Sequence, residues 1–383
     1  MRADPLGKNS VLGLLCDLIR IPSVNPALGD GDAPGEKAIA TFSVKWLEEH
    51  GVRARLEEAA PGRPNAVGET GSGSGKTLVL CAHLDTVGVA GMTAPYTPSI
   101  RDGRVYGRGA YDMKSGVAAV MCAAAALARE AIQGTVLVAL VSDEEYESRG
   151  AEHFVQRHRA DGCILTEGSE GKLVLAHKGF LWIDLVTKGR AAHGSRWDLG
   201  KSAIGTMGRI IAAIEEFDSR ELRKRVHPLV GPSSMHCALI TGGVGISTYA
   251  PRCHLEIERR TLPDETPEKA MEEIRGIALG IDPEAEVTLR FSRTPLLTDR
   301  DAPIARSVRE SVSSVVGTAP EETGVGYWMD AAIFAGAGIP SVNYGPAGAG
   351  AHETVEWVDA SSVVTCARVL RESAKRFLGQ KSV

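Results

Sequence analysis

Residues 77–85 read TLVLCAHLD and residues 135–145 read TVLVALVSDEE. Each is an uninterrupted apolar run of strand length that stops on charge. Strands that are apolar at every position, rather than at alternate ones, are covered on both faces, which is typical of parallel sheets packed between helices. Cys163–Leu165 lies in a third such run and Ile339–Tyr344 forms another. Helical periodicity fills the gaps between them. Residues 36–50 carry Ala40, Val44 and Leu47 at helical spacing and stop before Gly51, residues 117–127 form an Ala-rich buried helix, and residues 361–377 form a last helix. The alternation predicts an α/β fold with a mixed, mostly parallel sheet flanked by helices.

From Gly179 the pattern changes. Residues 181–187 alternate, 201–217 are amphipathic, 235–240 and 253–257 read as strands, 266–279 are again amphipathic, and 286–291 (EVTLRF) alternate. Strand, helix, two strands, helix, strand is the split βαββαβ arrangement. Residues 179–293 are therefore expected to form an inserted α+β, ferredoxin-like domain. Insertions enter where the chain returns near its departure point, so residues 1–178 and 294–383 are expected to build one domain around a common sheet.

Composition narrows the functional classes. Of 383 residues, 43 are Lys or Arg and 48 are Asp or Glu, a net charge of −5, with no basic cluster to follow a phosphate backbone. Nucleic acid is excluded as a partner. No run approaches the roughly 18 apolar residues of a membrane span, so no membrane association is expected. The apolar run Val11–Cys16 is broken by Asp17 and followed by Arg20, unlike a signal peptide. The seven scattered cysteines include no CxxC pair and read as small buried hydrophobes in a reducing compartment. A cytoplasmic location is expected. The run Gly71–Thr77, GSGSGKT, imitates a phosphate-binding loop, but Thr70 stands where that motif needs Gly, and a strand follows where it needs a helix. It reads as a turn.

In open α/β sheets, ligands bind beyond the carboxyl ends of the strands. After TLVLCA come His83 and Asp85; after TVLVALVS come Asp143, Glu144 and Glu145; after CILT comes Glu167; after the 339–344 run and a Gly-rich loop comes His352. Asp112 ends a further Gly-rich loop ahead of the Ala-rich helix. Taken singly, these are weak signals: an HxD, a Glu-Glu pair on a surface, a helix N-cap, a loop histidine. Five segments delivering imidazoles and carboxylates to one rim point to a metal site, and two His with three carboxylates suit Zn²⁺, Co²⁺ or Mn²⁺. A carboxylate bridging two such ions is a known hydrolytic arrangement. In the Glu144–Glu145 pair one side chain would bind metal while its neighbour faces water, and Asp85 is placed to orient the His83 imidazole.

HLDTV (83–87), GRGAYDMKSG (107–116), SDEE (142–145), Glu167, KGRAAHGSRWDLGKSAI (188–204), ERRTLP (258–263), MDAA (329–332) and GPAGAGAHETVEWV (345–358) occur in an order and at spacings that resemble the M20 metallopeptidase family, over nearly the whole chain. That family includes acetylornithine deacetylase, succinyl-diaminopimelate desuccinylase, aminoacylase and glutamate carboxypeptidase. The resemblance implies two Zn²⁺ per subunit, with Co²⁺ or Mn²⁺ able to substitute. One ion would be held by His83, Asp112 and Glu167, the other by Asp112, Glu145 and His352, with Asp112 bridging. It implies Glu144 as general base and acid, Asp85 as the residue orienting His83, and a cis peptide at Asp112–Met113. It further implies that the insertion is a lid and homodimerisation domain, in which His193 stabilises the oxyanion from the partner subunit and Arg260 holds the substrate carboxylate. TGGVGISTYAP (241–251) places Ser247 near a position where the family often has Asn. Glu167 in the third ligand position favours a deacylase acting on a small N-acyl amino acid; the alternative is a carboxypeptidase or dipeptidase acting on a short peptide by the same chemistry.

Overall fold

A computed structural model of the chain describes residues 4–29 and 33–379. The chain forms two compact units. The first takes the chain up to Leu175, then Thr298–Thr323 and the segment from Met329 onward; the second comprises Ala176–Leu297 and Gly324–Trp328.

The first unit is organised around a twisted sheet whose strands follow the order Arg53–Ala60, Arg63–Gly71, Thr135–Val141, Thr77–His83, Gly162–Leu165, Ser341–Asn343 and Leu173–His177. The four strands from Thr135–Val141 to Ser341–Asn343 run parallel. The flanking pairs are antiparallel. The sheet is thus mixed with a parallel centre, and that centre is made of the uninterrupted apolar runs. Leu78, Val79, Leu80, Val136, Val138 and Leu140 are all buried.

Helix Lys114–Leu127 has no polar face, and every one of its residues is buried. Its alanines allow close packing against the strand Thr77–His83 and between helices Lys8–Arg20 and Ala360–Gly379. Helix Lys8–Arg20 extends on both sides of the Val11–Cys16 run, burying Val11, Leu12, Leu14, Leu15, Leu18 and Ile19 along one stripe. Residues 72–76 form a turn between strands Arg63–Gly71 and Thr77–His83, with no helix after them. Among the described residues, no helix is long and apolar enough to cross a membrane.

The second unit is a four-stranded antiparallel sheet in the order Ser234–Gly242, Arg252–Thr261, Gly179–Lys188, Glu286–Arg293. Helices Ala203–Arg220 and Pro267–Ile281 bury Met207, Ile210 and Ile274 with Leu181, Ile183, Leu185, Leu255 and Ile257 of the sheet. Both helices start on side-chain caps, Ser202 accepting from the Gly205 N–H and Thr266 from the Lys269 N–H, which is why the amphipathic periodicity begins where it does.

Candidate metal centre

The four parallel strands end on one rim of the first unit, and each exit delivers a ligand type. His83 is the last residue of its strand, Glu144 and Glu145 follow Val141, and Glu167 lies two residues beyond Leu165. His352 arrives on the loop after Ser341–Asn343. That loop leaves pressed against the Glu167 backbone: a Cβ on Gly345 would lie 2.0 Å from the Glu167 carbonyl oxygen, so only glycine fits there. Asp112 precedes helix Lys114–Leu127, and the Asp112–Met113 peptide bond is cis. His352 at φ 62° and Asp143 at φ 70° sit in the left-handed region, a conformation that side chains of this kind hold mainly where the surroundings impose it, often at functional sites.

His83 Nε2 lies 3.1 Å from Asp112 Oδ1 and 3.3 Å from Glu167 Oε1. The other Asp112 oxygen, Oδ2, lies 3.3 Å from His352 Nε2, which is itself 3.1 Å from Glu145 Oε2. One carboxylate therefore faces two imidazoles, one oxygen to each, and each imidazole has a second carboxylate of its own. Ligand atoms of His83, Asp112 and Glu145 fall within 4.8 Å of one another, and so do those of His83, Glu144 and Glu167. Glu144 thus stands within ligand reach as well; distance alone does not separate it from Glu145.

The electrostatics match a site for cations. Burial opposes ionisation of Asp112, but the His352 and His83 imidazoles beside it outweigh burial and hold its carboxyl below the usual range. Hydrogen bonds that the Asp112 and Glu145 carboxylates accept from its ring push His352 up to about 10. Burial pushes Glu144 well above the usual carboxylate range, and the nearby Asp330, Glu167 and Glu145 push the same way. Carboxylates crowd around two imidazoles here, and these N and O donors are of the kind that suit Zn²⁺, Co²⁺ or Mn²⁺. The residues present fit a two-metal centre.

Asp85 does more than the HxD spacing suggests. His83 Nδ1 lies 3.0 Å from the Asp85 backbone oxygen and 3.5 Å from its carboxylate Oδ1, so the nearer partner of the imidazole is the main chain. The carboxylate instead accepts the backbone N–H groups of Glu144 on Oδ1 and Glu145 on Oδ2, both at 3.1 Å. Behind it, Asn25 Nδ2 donates to Asp85 Oδ2 at 2.7 Å and to Asp143 Oδ1 at 3.1 Å. Arg63 closes the network, donating Nε to Glu36 Oε2 at 2.6 Å and Nη2 to Asp143 Oδ1 at 2.8 Å. Asn25, Glu36, Arg63 and Asp143 are all buried; the sequence points to Asp143 only as one of the rim carboxylates and to Asn25, Glu36 and Arg63 not at all. Arg63→Met leaves Glu36 buried without its counter-charge and Asp143 with only Arg149, whose Nε lies 3.6 Å from Asp143 Oδ2, and is expected to destabilise the first unit by about 3–5 kcal/mol. Chemical denaturation checks this, and a loss under about 1 kcal/mol, the size of a surface pair, contradicts it.

His193 and Arg260 belong to the second unit. His193 is exposed, with Nδ1 2.8 Å from Ser195 Oγ. Ser247 meets this loop through its backbone oxygen, which accepts the Gly194 N–H at 2.7 Å. Arg260 donates Nε to Glu258 at 2.7 Å, and its guanidinium stands 5.2 Å from the Phe180 ring centroid. The adjacent Arg259 points inward, wholly buried, and donates to Glu265 at 2.7 Å. Of the two arginines, Arg260 is the one a solute could reach.

Known proteins resemble the chain over most of its length. The chain is 30% identical to an acetylornithine deacetylase of Myxococcus xanthus over 340 residues, covering 85% of this chain and 87% of that one. It is 30% identical to a succinyl-diaminopimelate desuccinylase of Xanthomonas oryzae over 394 residues, covering 97% and 99%. Among solved structures, an aminopeptidase of Bacillus cereus superposes with a TM-score of 0.81 at 19% identity, covering 97% of this chain and 99% of that one. A Bacillus subtilis M20 peptidase described as binding a dinuclear metal gives 0.73 at 16%, covering 97% and 98%. The sequence model for "Peptidase family M20/M25/M40" matches residues 79–376. With that match spanning most of the sequence, the chain belongs to the M20/M25/M40 peptidase family, and it is a hydrolase of that family.

Proposed function

We propose that the chain is a two-metal amide hydrolase that removes the acyl group from an N-acyl amino acid. The observation that carries this is the position of Asp112, one carboxylate between two imidazoles, each with its own further carboxylate. His83, Asp112 and Glu167 would hold one ion and Asp112, Glu145 and His352 the other. Bound there, Zn²⁺, or Co²⁺ or Mn²⁺ in its place, supplies Lewis-acid polarisation of the amide carbonyl and acidifies the attacking water.

The protein's own groups do the rest. Glu144, its backbone fixed by Asp85, takes the proton from water and returns it to the leaving nitrogen, a carboxylate acting first as base and then as acid. Asp85 holds the Glu144–Glu145 segment and the His83 loop in one frame. His193 is the proposed donor to the charge that develops on the carbonyl oxygen, and Arg260 the proposed partner of the substrate carboxylate, a bidentate match. The deacylase choice is supported by the names of the 30%-identical relatives and by Glu at position 167.

Zinc- or cobalt-loaded protein, incubated with a pool of N-acetyl, N-succinyl and N-aryl amino acids and dipeptides, is expected to release free amino acid from an N-acyl member, and a chelator should stop it. Mass spectrometry reads the products. Cleavage of dipeptides alone would replace this reading with the carboxypeptidase or dipeptidase one. We further propose that two chains pair through the second unit, where Leu239, Ile240, Val244 and Ile246 are exposed on an edge strand and the turn after it; sedimentation at twice 40.5 kDa supports this and sedimentation at 40.5 kDa removes it. A cytoplasmic setting is part of the same proposal, supported by seven free cysteines.

A further inference from the structure

Four residues beyond His352 stands Glu356, 1% exposed. Its Oε1 accepts the backbone N–H groups of Tyr111 at 2.8 Å and Asp112 at 3.0 Å. Its Oε2 accepts the Gly109 N–H at 2.9 Å and Arg108 Nη1 at 2.7 Å. A carboxylate has room for this many donors, and charge-assisted bonds of this kind are the strong ones. Gly109, at φ +78°, gives the loop the left-handed turn it makes ahead of Tyr111 and Asp112.

Arg108 extends the clamp in two directions. It is 3% exposed, donates Nε and Nη2 to the Gly88 carbonyl at 3.1 and 2.9 Å, and donates Nη2 to the Glu353 carbonyl at 3.1 Å. Gly88 lies on the loop that follows His83 and Asp85, and Glu353 is the neighbour of His352. Below the clamp, strand Trp357–Asp359 pairs antiparallel with Arg104–Tyr106, so the Asp112 and His352 loops spring from adjacent strands. One buried ion pair therefore touches the three loops that carry His83, Asp112 and His352.

We propose that Glu356 is a positioning residue for the shared carboxylate. It fixes the Tyr111–Asp112 backbone so that Asp112 presents Oδ1 to His83 and Oδ2 to His352, and Arg108 passes the same constraint to the loops of both imidazoles. The inference rests on the reading of Asp112 as a ligand common to two metals. A clamp that serves only to hold the fold together would affect melting but not metal affinity, and this difference makes the proposal testable.

The experiment titrates Co²⁺ into chelator-treated wild type, Glu356→Gln and Arg108→Lys, read by visible absorption and calorimetry, with the melting temperature of each protein recorded before cobalt is added. Two ions bound by wild type sustain the underlying reading; fewer than two overturn that reading whatever the variants do. With two bound, Glu356→Gln, whose amide N–H₂ faces N–H donors, is expected to bind Co²⁺ about 10–100-fold more weakly with an altered absorption band, as loss of an outer support of a ligand does. In turnover, kcat should fall more than KM changes. Wild-type cobalt affinity and band shape in Glu356→Gln, at any melting temperature, overturn the proposal. If that variant does not fold, Arg108→Lys decides: it keeps the positive charge beside Glu356 but loses the span to Gly88 and Glu353, so weakened cobalt binding supports the clamp and unchanged binding overturns it.

Discussion

Glu144→Gln is expected to lower kcat by about 10²–10⁴-fold, the usual contribution of a positioned proton carrier, while the protein still binds two Co²⁺ with affinity near that of wild type. Glutamine keeps the volume and the Asp85 hydrogen bond to the backbone N–H at position 144 but cannot accept and return a proton. The prediction is sharp because Glu144 also falls within ligand distance of His83 and Glu167. If Glu144 were a ligand, metal affinity would fall together with rate. Cobalt titration beside a turnover assay separates the two, and a variant that turns over at the wild-type rate would remove Glu144 from the mechanism.

Asp112→Asn is expected to damage both halves of the centre at once. Asp112 offers one oxygen toward His83 and the other toward His352; asparagine offers one oxygen and turns an N–H₂ donor toward the remaining ion. The charge shared by both ions is lost as well. Metal affinity should fall by more than the roughly 10–100-fold typical of an outer support, with fewer than two Co²⁺ retained at micromolar protein and hydrolysis lost in parallel. Two ions bound at wild-type affinity would show that Asp112 does not bridge.

How much of this was legible in the sequence depended on whether the signal was local. Thr77–His83 and Thr135–Val141 could be read because a parallel strand covered on both faces is apolar at every residue, and the first charged residue after it marks the rim. Helix Lys8–Arg20 keeps helical spacing at Val11, Leu14, Leu15 and Leu18, but its uninterrupted apolar run is short and broken by Asp17, so it carries a weak signal. The hairpin of Arg53–Ala60 and Arg63–Gly71 escaped because an edge strand reading RARLEEAA is largely solvated and carries no clean alternation.

At the site, the residues that end strands were legible and the residues that support them were not. Arg63 meets Glu36 27 positions away and Arg108 meets Glu356 248 positions away; no period or spacing encodes such a pair, and each residue alone reads as an ordinary surface charge. Asp85 was legible by its HxD spacing, yet its carboxylate proved to hold the main chain of Glu144 and Glu145 more closely than the imidazole. Local pattern gave the residue; only the folded chain gave its partners.

The most direct test of the two-metal hydrolase is the rate of hydrolysis of an N-acyl amino acid by chelator-stripped protein as Zn²⁺ is returned in measured equivalents. The account predicts no turnover without metal and a rate that stops rising at two equivalents per chain. Full turnover in the stripped protein, or a rate that is complete at one equivalent, would contradict it.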